Sequence, residues 1–125
     1  MKKIILASVL ASVAVASIGT ANAAADNVVC NGSSPAAAGT FATDTSVTTE
    51  FVKVAFTPKC SANVHMHSSQ TTNALGVVSG STKGKNYFGG GTNSGGVVVA
   101  GSCATSGCST TEVSATNSAM YRDKS

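Results

Sequence analysis

The sequence predicts an all-β fold, a small disulfide-stapled sandwich or partly open barrel. Short runs of β-branched and aromatic residues alternate with clusters of Gly, Asn and Ser, which favour turns. Long aliphatic side chains are scarce, since the chain after residue 23 has one Leu and neither Ile nor Trp. Such a thin core favours stabilisation by sheet hydrogen bonds, disulfides or neighbouring subunits.

The first 23 residues have the pattern of a secretory signal peptide. Lys2 and Lys3 precede an uncharged, mostly apolar stretch at 4–18, and Ala21-Asn22-Ala23 provides the small residues of a cleavage site. The stretch is too short and too rich in Ser and Ala for a membrane span, although an uncleaved anchor is the alternative. We therefore expect a leader at 1–23 and one exported domain at 24–125, without a membrane span, in the periplasm, at the cell surface or outside the cell.

The net charge of the mature chain argues against nucleic-acid binding. Two of the eight basic residues are in the leader, which leaves six basic residues against five acidic ones. The short basic segment at 83–88 has only two lysines, too few to hold a phosphate backbone. No nucleic-acid partner is expected.

The four cysteines, Cys30, Cys60, Cys103 and Cys108, all lie in the mature part. An even number in an exported chain predicts disulfides, for which three pairings are possible. Loop length favours Cys103–Cys108, with Cys30–Cys60 closing the longer loop. The alternative, a zinc site, lacks two C-x-x-C pairs.

The strongest strand pattern is SVTTEFVKVAFT at 46–57. It would place Val52, Val54 and Phe56 on one face and Phe51 on the other, so that apolar residues lie on both sides. Shorter apolar runs predict further strands at 62–68, 74–78, 86–88 and 97–100, the last buried on both faces, and another apolar run covers 28–30.

The C-terminal tail allows three structures. Ser109 and Glu112 have the spacing of a helix capping box, and Val113, Ala119 and Met120 would form a thin apolar stripe. Thr, Ser and Asn are weak helix formers, so a final strand or an unstructured tail are the alternatives to a short helix.

His65 and His67 are the candidate metal ligands. Alternate residues of a strand point the same way, so both imidazoles could bind one Cu(II) or Zn(II) ion. No further His follows, and no carboxylate can be placed beside them from the sequence. The alternative is that both are polar residues on the solvent face of a strand.

Catalytic patterns are absent from the sequence. The loop GGGTNSGG at 89–96 lacks the G-K-[ST] ending of a phosphate-binding loop, and no G-x-S-x-G nucleophile motif occurs. The five acidic residues are scattered along the chain. We predict that the protein is not an enzyme and needs no cofactor.

Residues 48–64, TTEFVKVAFTPKCSANV, resemble the opening strand of small bacterial fimbrial subunits, including the spore-coat-U type. In both, an alternating β segment leads into a Cys and then a Ser, Ala and Val continuation. The resemblance implies a secreted, immunoglobulin-like, Trp-poor subunit that completes its neighbours with a donated strand.

The functional prediction is a non-enzymatic structural or adhesive module, a pilus or extracellular fibre subunit that self-associates by strand pairing. Phe51, Val52, Val54 and Phe56 are the expected assembly strand, and the need for an assembly chaperone stays open. The alternatives are a periplasmic metal-binding protein using His65 and His67, or a small secreted ligand-binding or inhibitor domain.

Overall fold

The computed structural model describes residues 25–33, 37–41, 50–104 and 106–124. The predicted leader and residues 46–49 of the predicted assembly strand lie outside these ranges. The described residues form one antiparallel sheet of five strands in sequential order and one short helix. The elements are β1 (Ala25–Asn31), β2 (Val64–Gln70), β3 (Leu75–Ser81), β4 (Asn86–Gly91), β5 (Val98–Ser102) and α1 (Ala115–Arg122).

Tight turns explain why neighbouring strands in the sequence are neighbours in the sheet. Between β3 and β4, the Gly84 N–H donates to the Ser81 carbonyl at 2.9 Å. Between β4 and β5, the Ser94 N–H donates to the Gly91 carbonyl, and Gly95 has a φ of +71°, which glycine adopts without steric cost. The predicted turn chemistry therefore places four of the five strands where the sequence pattern expects them.

Helix α1 covers one face of the sheet. Its N-cap is Ser114, whose hydroxyl accepts a hydrogen bond from the Asn117 N–H. A Cβ at Gly76 would collide with the helix backbone, and one at Gly89 would overlap the Tyr121 ring. The helix can lie this close to the sheet because these strand positions carry no side chain.

Two small cores lie on opposite faces of the sheet. Under α1, Val78 packs with Cys108, Val113 and Tyr121. On the other face the buried residues are Val29, Cys30 and Phe41, joined by half-buried Val52, Cys60, Met66 and Leu75. The second core covers only the β1 and β2 side of its face.

Both predicted disulfides are present. Cys30–Cys60 joins β1 to the segment before β2, and Cys103–Cys108 joins the end of β5 to the core under α1. The all-β class and the short C-terminal helix are confirmed as well.

The prediction of a strand over 46–57 is wrong for the described residues 50–57. Phe56 pairs with Phe41 in an isolated bridge, and no regular strand includes this segment. High β-propensity is insufficient without a neighbouring strand to pair with. The helix also begins later than the capping box suggests, at Ala115, because Ser114 rather than Ser109 is its N-cap.

Candidate functional site

Strand β5 is an edge of the sheet. Its partner on one side is β4, and no strand of the described residues pairs with its other side. Val98 and Val99 are exposed, as is Val97 just before the strand. The prediction that 97–100 is buried on both faces is therefore wrong, because the strand ends the sheet instead of lying inside it.

On the face opposite α1, no described residue covers the β4 and β5 side. Gly89 faces the helix, so its neighbour Phe88 points to the opposite face, where it lies across from Val99. Both side chains are exposed. Val97 lies against Gly90 on this face, so that Phe88, Val97 and Val99 form an apolar patch, which we call the β5 edge patch. Val98 is also exposed, but it pairs with Gly89 and points to the face that α1 covers.

The segment 50–57 forms a second apolar surface near the β1 side of the sheet. Val52 points inward, since it packs against the second core and its N–H donates to the Gln70 side-chain oxygen at 3.1 Å. Phe51, Val54 and Phe56 are exposed. Phe56 also stacks on Phe41, with ring centroids 5.0 Å apart, which fixes the end of the segment.

The backbone of this segment has unused hydrogen-bonding capacity. Phe56 exchanges hydrogen bonds with Phe41, and Val52 donates to Gln70. Between them, Val54 and Ala55 make no hydrogen bond to another described residue. An exposed backbone of this kind is able to pair with a strand from another chain.

A groove with a volume of about 360 Å³ opens on the uncovered face at the end where β3 turns into β4. Phe88 and Val64 give it an apolar part, and Lys85 and Asn86 give it a polar rim. This size is within the usual range for small-molecule sites. No sequence motif predicts this groove, because its residues come from three strands and the turn between β3 and β4.

His65 and His67 lie on β2 opposite Gly80 and Val78, on the face that α1 covers. Both residues are half-buried, so they are partly open to solvent. The His65 ring packs over Gly32, and the buried Nδ1 of His67 has no hydrogen-bond partner. In the described ranges, no group of three His, Cys, Asp or Glu side chains is arranged to hold a metal ion.

Glu112 organises the loop that contains the Cys103–Cys108 disulfide. Its carboxylate accepts hydrogen bonds from the Ala104 N–H at 3.1 Å and the Ser109 N–H at 2.9 Å, and from the Ser109 hydroxyl. The hydroxyl bond first, and then the backbone bonds, lower the pKa of Glu112 to about 2. The carboxylate therefore holds the loop next to β5 as an anion at neutral pH.

Comparisons with protein-family models, with curated proteins and with solved structures find no match. Within the part of the chain that the structure describes, no helix has the length and apolarity required to cross a membrane. Function must therefore be inferred from the surfaces described above.

Proposed function

We propose that this chain is an exported, non-enzymatic structural subunit that assembles with further copies of itself by strand pairing. The observation that carries the proposal is the β5 edge, where three consecutive exposed valines lie at the start of a strand that pairs on one side only with the described strands. No charged residue occurs between Val97 and Ser102. Natural edge strands usually carry charges or prolines that prevent pairing, and their absence favours pairing here.

Export is supported by the leader pattern and by the two disulfides. Disulfides form and persist in oxidising compartments outside the cytoplasm. The chain has two small cores, so burying further apolar surface between subunits would add more to its stability than it would for a chain with one large core.

The partner of the β5 edge patch is the segment 51–56 of the next copy. This segment presents exposed apolar side chains, and Val54 and Ala55 have unused backbone groups. Pairing would add it to the sheet as a sixth strand, with its main chain on β5 and its side chains beside Phe88 and Val99.

The positions of the two surfaces favour a fibre over a closed dimer. The segment 51–56 packs at the β1 side, whereas β5 is the opposite edge of the five-stranded sheet. Four strand spacings separate the two edges by roughly 19 Å. Each copy then offers one surface and receives the other, and head-to-tail contacts that do not close by rotation produce an open polymer.

The test compares two exposed valines in the mature, disulfide-bonded chain. Val99 and Val28 have nearly equal exposure, 61% and 60%, but Val28 lies on β1. We expect Val99→Lys to abolish polymers in sedimentation velocity and negative-stain microscopy, and Val28→Lys to leave them unchanged. Wild-type protein that remains monomeric at high concentration, or polymers lost in Val28→Lys and retained in Val99→Lys, would contradict the proposal.

A further inference from the structure

The groove beside the β3–β4 turn has the chemistry of a ligand site. Its volume is about 360 Å³, and the side chains that line it include Val64, Ser79, Ser81, Lys85, Asn86 and Phe88. It lies on the sheet face opposite α1, because Phe88 and Asn86 alternate with Gly89 and Tyr87, which face the helix core.

The polar groups of the groove are mainly hydrogen-bond donors. The Asn86 side-chain oxygen accepts from the Ser102 hydroxyl at 3.3 Å, so its NH₂ group is left to donate. The Ser81 hydroxyl oxygen accepts from the Lys83 N–H at 3.2 Å, which leaves its O–H to donate. The Lys85 ammonium makes no ion pair with a described residue.

Acceptors in the groove are few. The Ser79 hydroxyl donates to the His65 carbonyl at 3.1 Å, which leaves its oxygen as an acceptor. None of the residues that line the groove is acidic. A donor-rich groove with one cationic side chain complements a ligand that carries a carboxylate and further oxygen acceptors.

The apolar part of the groove sets the shape of the ligand. The Phe88 ring is 45% exposed, and Val64 lies beside it in the groove. A ring with one C–H face and several hydroxyl groups would pack its apolar face on Phe88 and direct its hydroxyls to Ser79, Ser81 and Asn86. We propose that this groove binds a carboxylated monosaccharide unit, with its carboxylate at Lys85.

This inference does not depend on self-assembly. Because a neighbour paired on β5 would place side chains beside Phe88, the binding test is made on the wild type and also on the Val99→Lys variant. Saturation-transfer NMR of the mature chain with D-glucuronate and D-glucose observes the ligand, so polymer formation does not prevent the measurement. The two sugars differ at one carbon, a carboxylate against a hydroxymethyl group. We expect glucuronate to bind with a Kd on the order of 1 mM and glucose about tenfold more weakly, since it lacks the charge-assisted hydrogen bond.

Two lysines of the same turn give a matched pair of variants. Lys85→Gln should weaken glucuronate binding about tenfold, because it removes the cation and retains much of the side chain. Lys83→Gln should leave binding unchanged, since the Lys83 side chain does not line the groove. Phe88→Ala should abolish saturation transfer to the sugar ring. Equal binding of both sugars, no effect of Lys85→Gln, an equal effect of Lys83→Gln, or no transfer to glucuronate would each overturn the inference.

Discussion

Phe88 of β4 lies directly opposite Val99 of β5 in the last antiparallel pair of the sheet. Phe88 is 45% exposed and Val99 is 61% exposed, although cross-strand pairs of this type usually contribute to a buried face. Val99 lies on the edge strand β5, and Phe88 beside it lines the groove, so the edge and the groove are adjacent on this face. Assembly at β5 and ligand binding in the groove are therefore expected to use neighbouring parts of one surface.

Because α1 lies so close to the sheet, we predict that one added methyl group at their contact lowers the stability of the fold strongly. A Cβ at Gly89 would overlap the Tyr121 ring, which is part of the core under the helix. We expect Gly89→Ala to lower the free energy of unfolding by about 1–3 kcal/mol, as overpacking does. Urea denaturation followed by circular dichroism measures this change.

Gly96→Ala is the matched control for Gly89→Ala. An added Cβ at Gly96 meets no atom within 4 Å, and its φ is outside the left-handed region. This variant should be as stable as the wild type or slightly more stable, because alanine restricts the unfolded chain. Equal stability of the two variants would mean that α1 does not pack on Gly89 as described.

Glu112 predicts a pH dependence of stability with a definite sign. Its pKa in the folded chain is about 2, below the ordinary value of 4.5, so the ionised form is favoured by folding. The stabilisation is complete above pH 4.5 and is lost as the pH falls toward 2. Glu112→Gln should therefore be less stable than wild type at neutral pH, and the difference should shrink across this window in urea titrations.

Ser109→Ala separates the main cause of this pKa shift from the rest. The Ser109 hydroxyl is the largest contributor to the lowered pKa, so its removal should reduce the pH-dependent part of the stability. If Ser109→Ala has the same pH dependence as the wild type, the hydroxyl does not hold the carboxylate.

The leader pattern predicts the N-terminus of the exported protein. Ala21 and Ala23 supply the small side chains that signal peptidase requires, so we expect cleavage before Ala24. Intact-mass analysis of the exported chain should give a species that begins at Ala24 or within about two residues of it. Retention of Met1 in the exported form would contradict this prediction.

Strand positions could be predicted where turns are marked by residue type. Asn73, Gly84 and Gly95 lie in the turns that separate β2 to β5, and strands were expected close to where they occur. The cysteine pairing followed from loop length. Turn residues and the length of a disulfide loop are properties of short stretches of sequence, so they can be predicted without knowing the fold.

Features that depend on distant neighbours were not predictable in the same way. Residues 50–57 have strong β-propensity but pair with no strand of the described sheet, and the valines at 97–99 are apolar but lie at its edge. The glycine-rich segment 89–96 was expected to be a loop, yet Gly89 lies in β4. A glycine is needed there because the Tyr121 ring of α1 occupies the space that a side chain would fill. The groove was not found for the same reason, since the sheet brings its residues together.

Head-to-tail assembly through two different surfaces is tested most directly by mixing two variants that are each unable to polymerise. Val99→Lys disables the β5 edge and leaves the segment 51–56 intact. Val54→Lys disables the segment 51–56 and leaves the β5 edge intact, and the change is made at a side chain that is 76% exposed. Each variant alone should be monomeric, and an equimolar mixture should form a one-to-one heterodimer in sedimentation velocity, because one intact interface remains. A mixture that stays monomeric, or a Val54→Lys variant that self-associates through β5, would contradict head-to-tail pairing of these two surfaces.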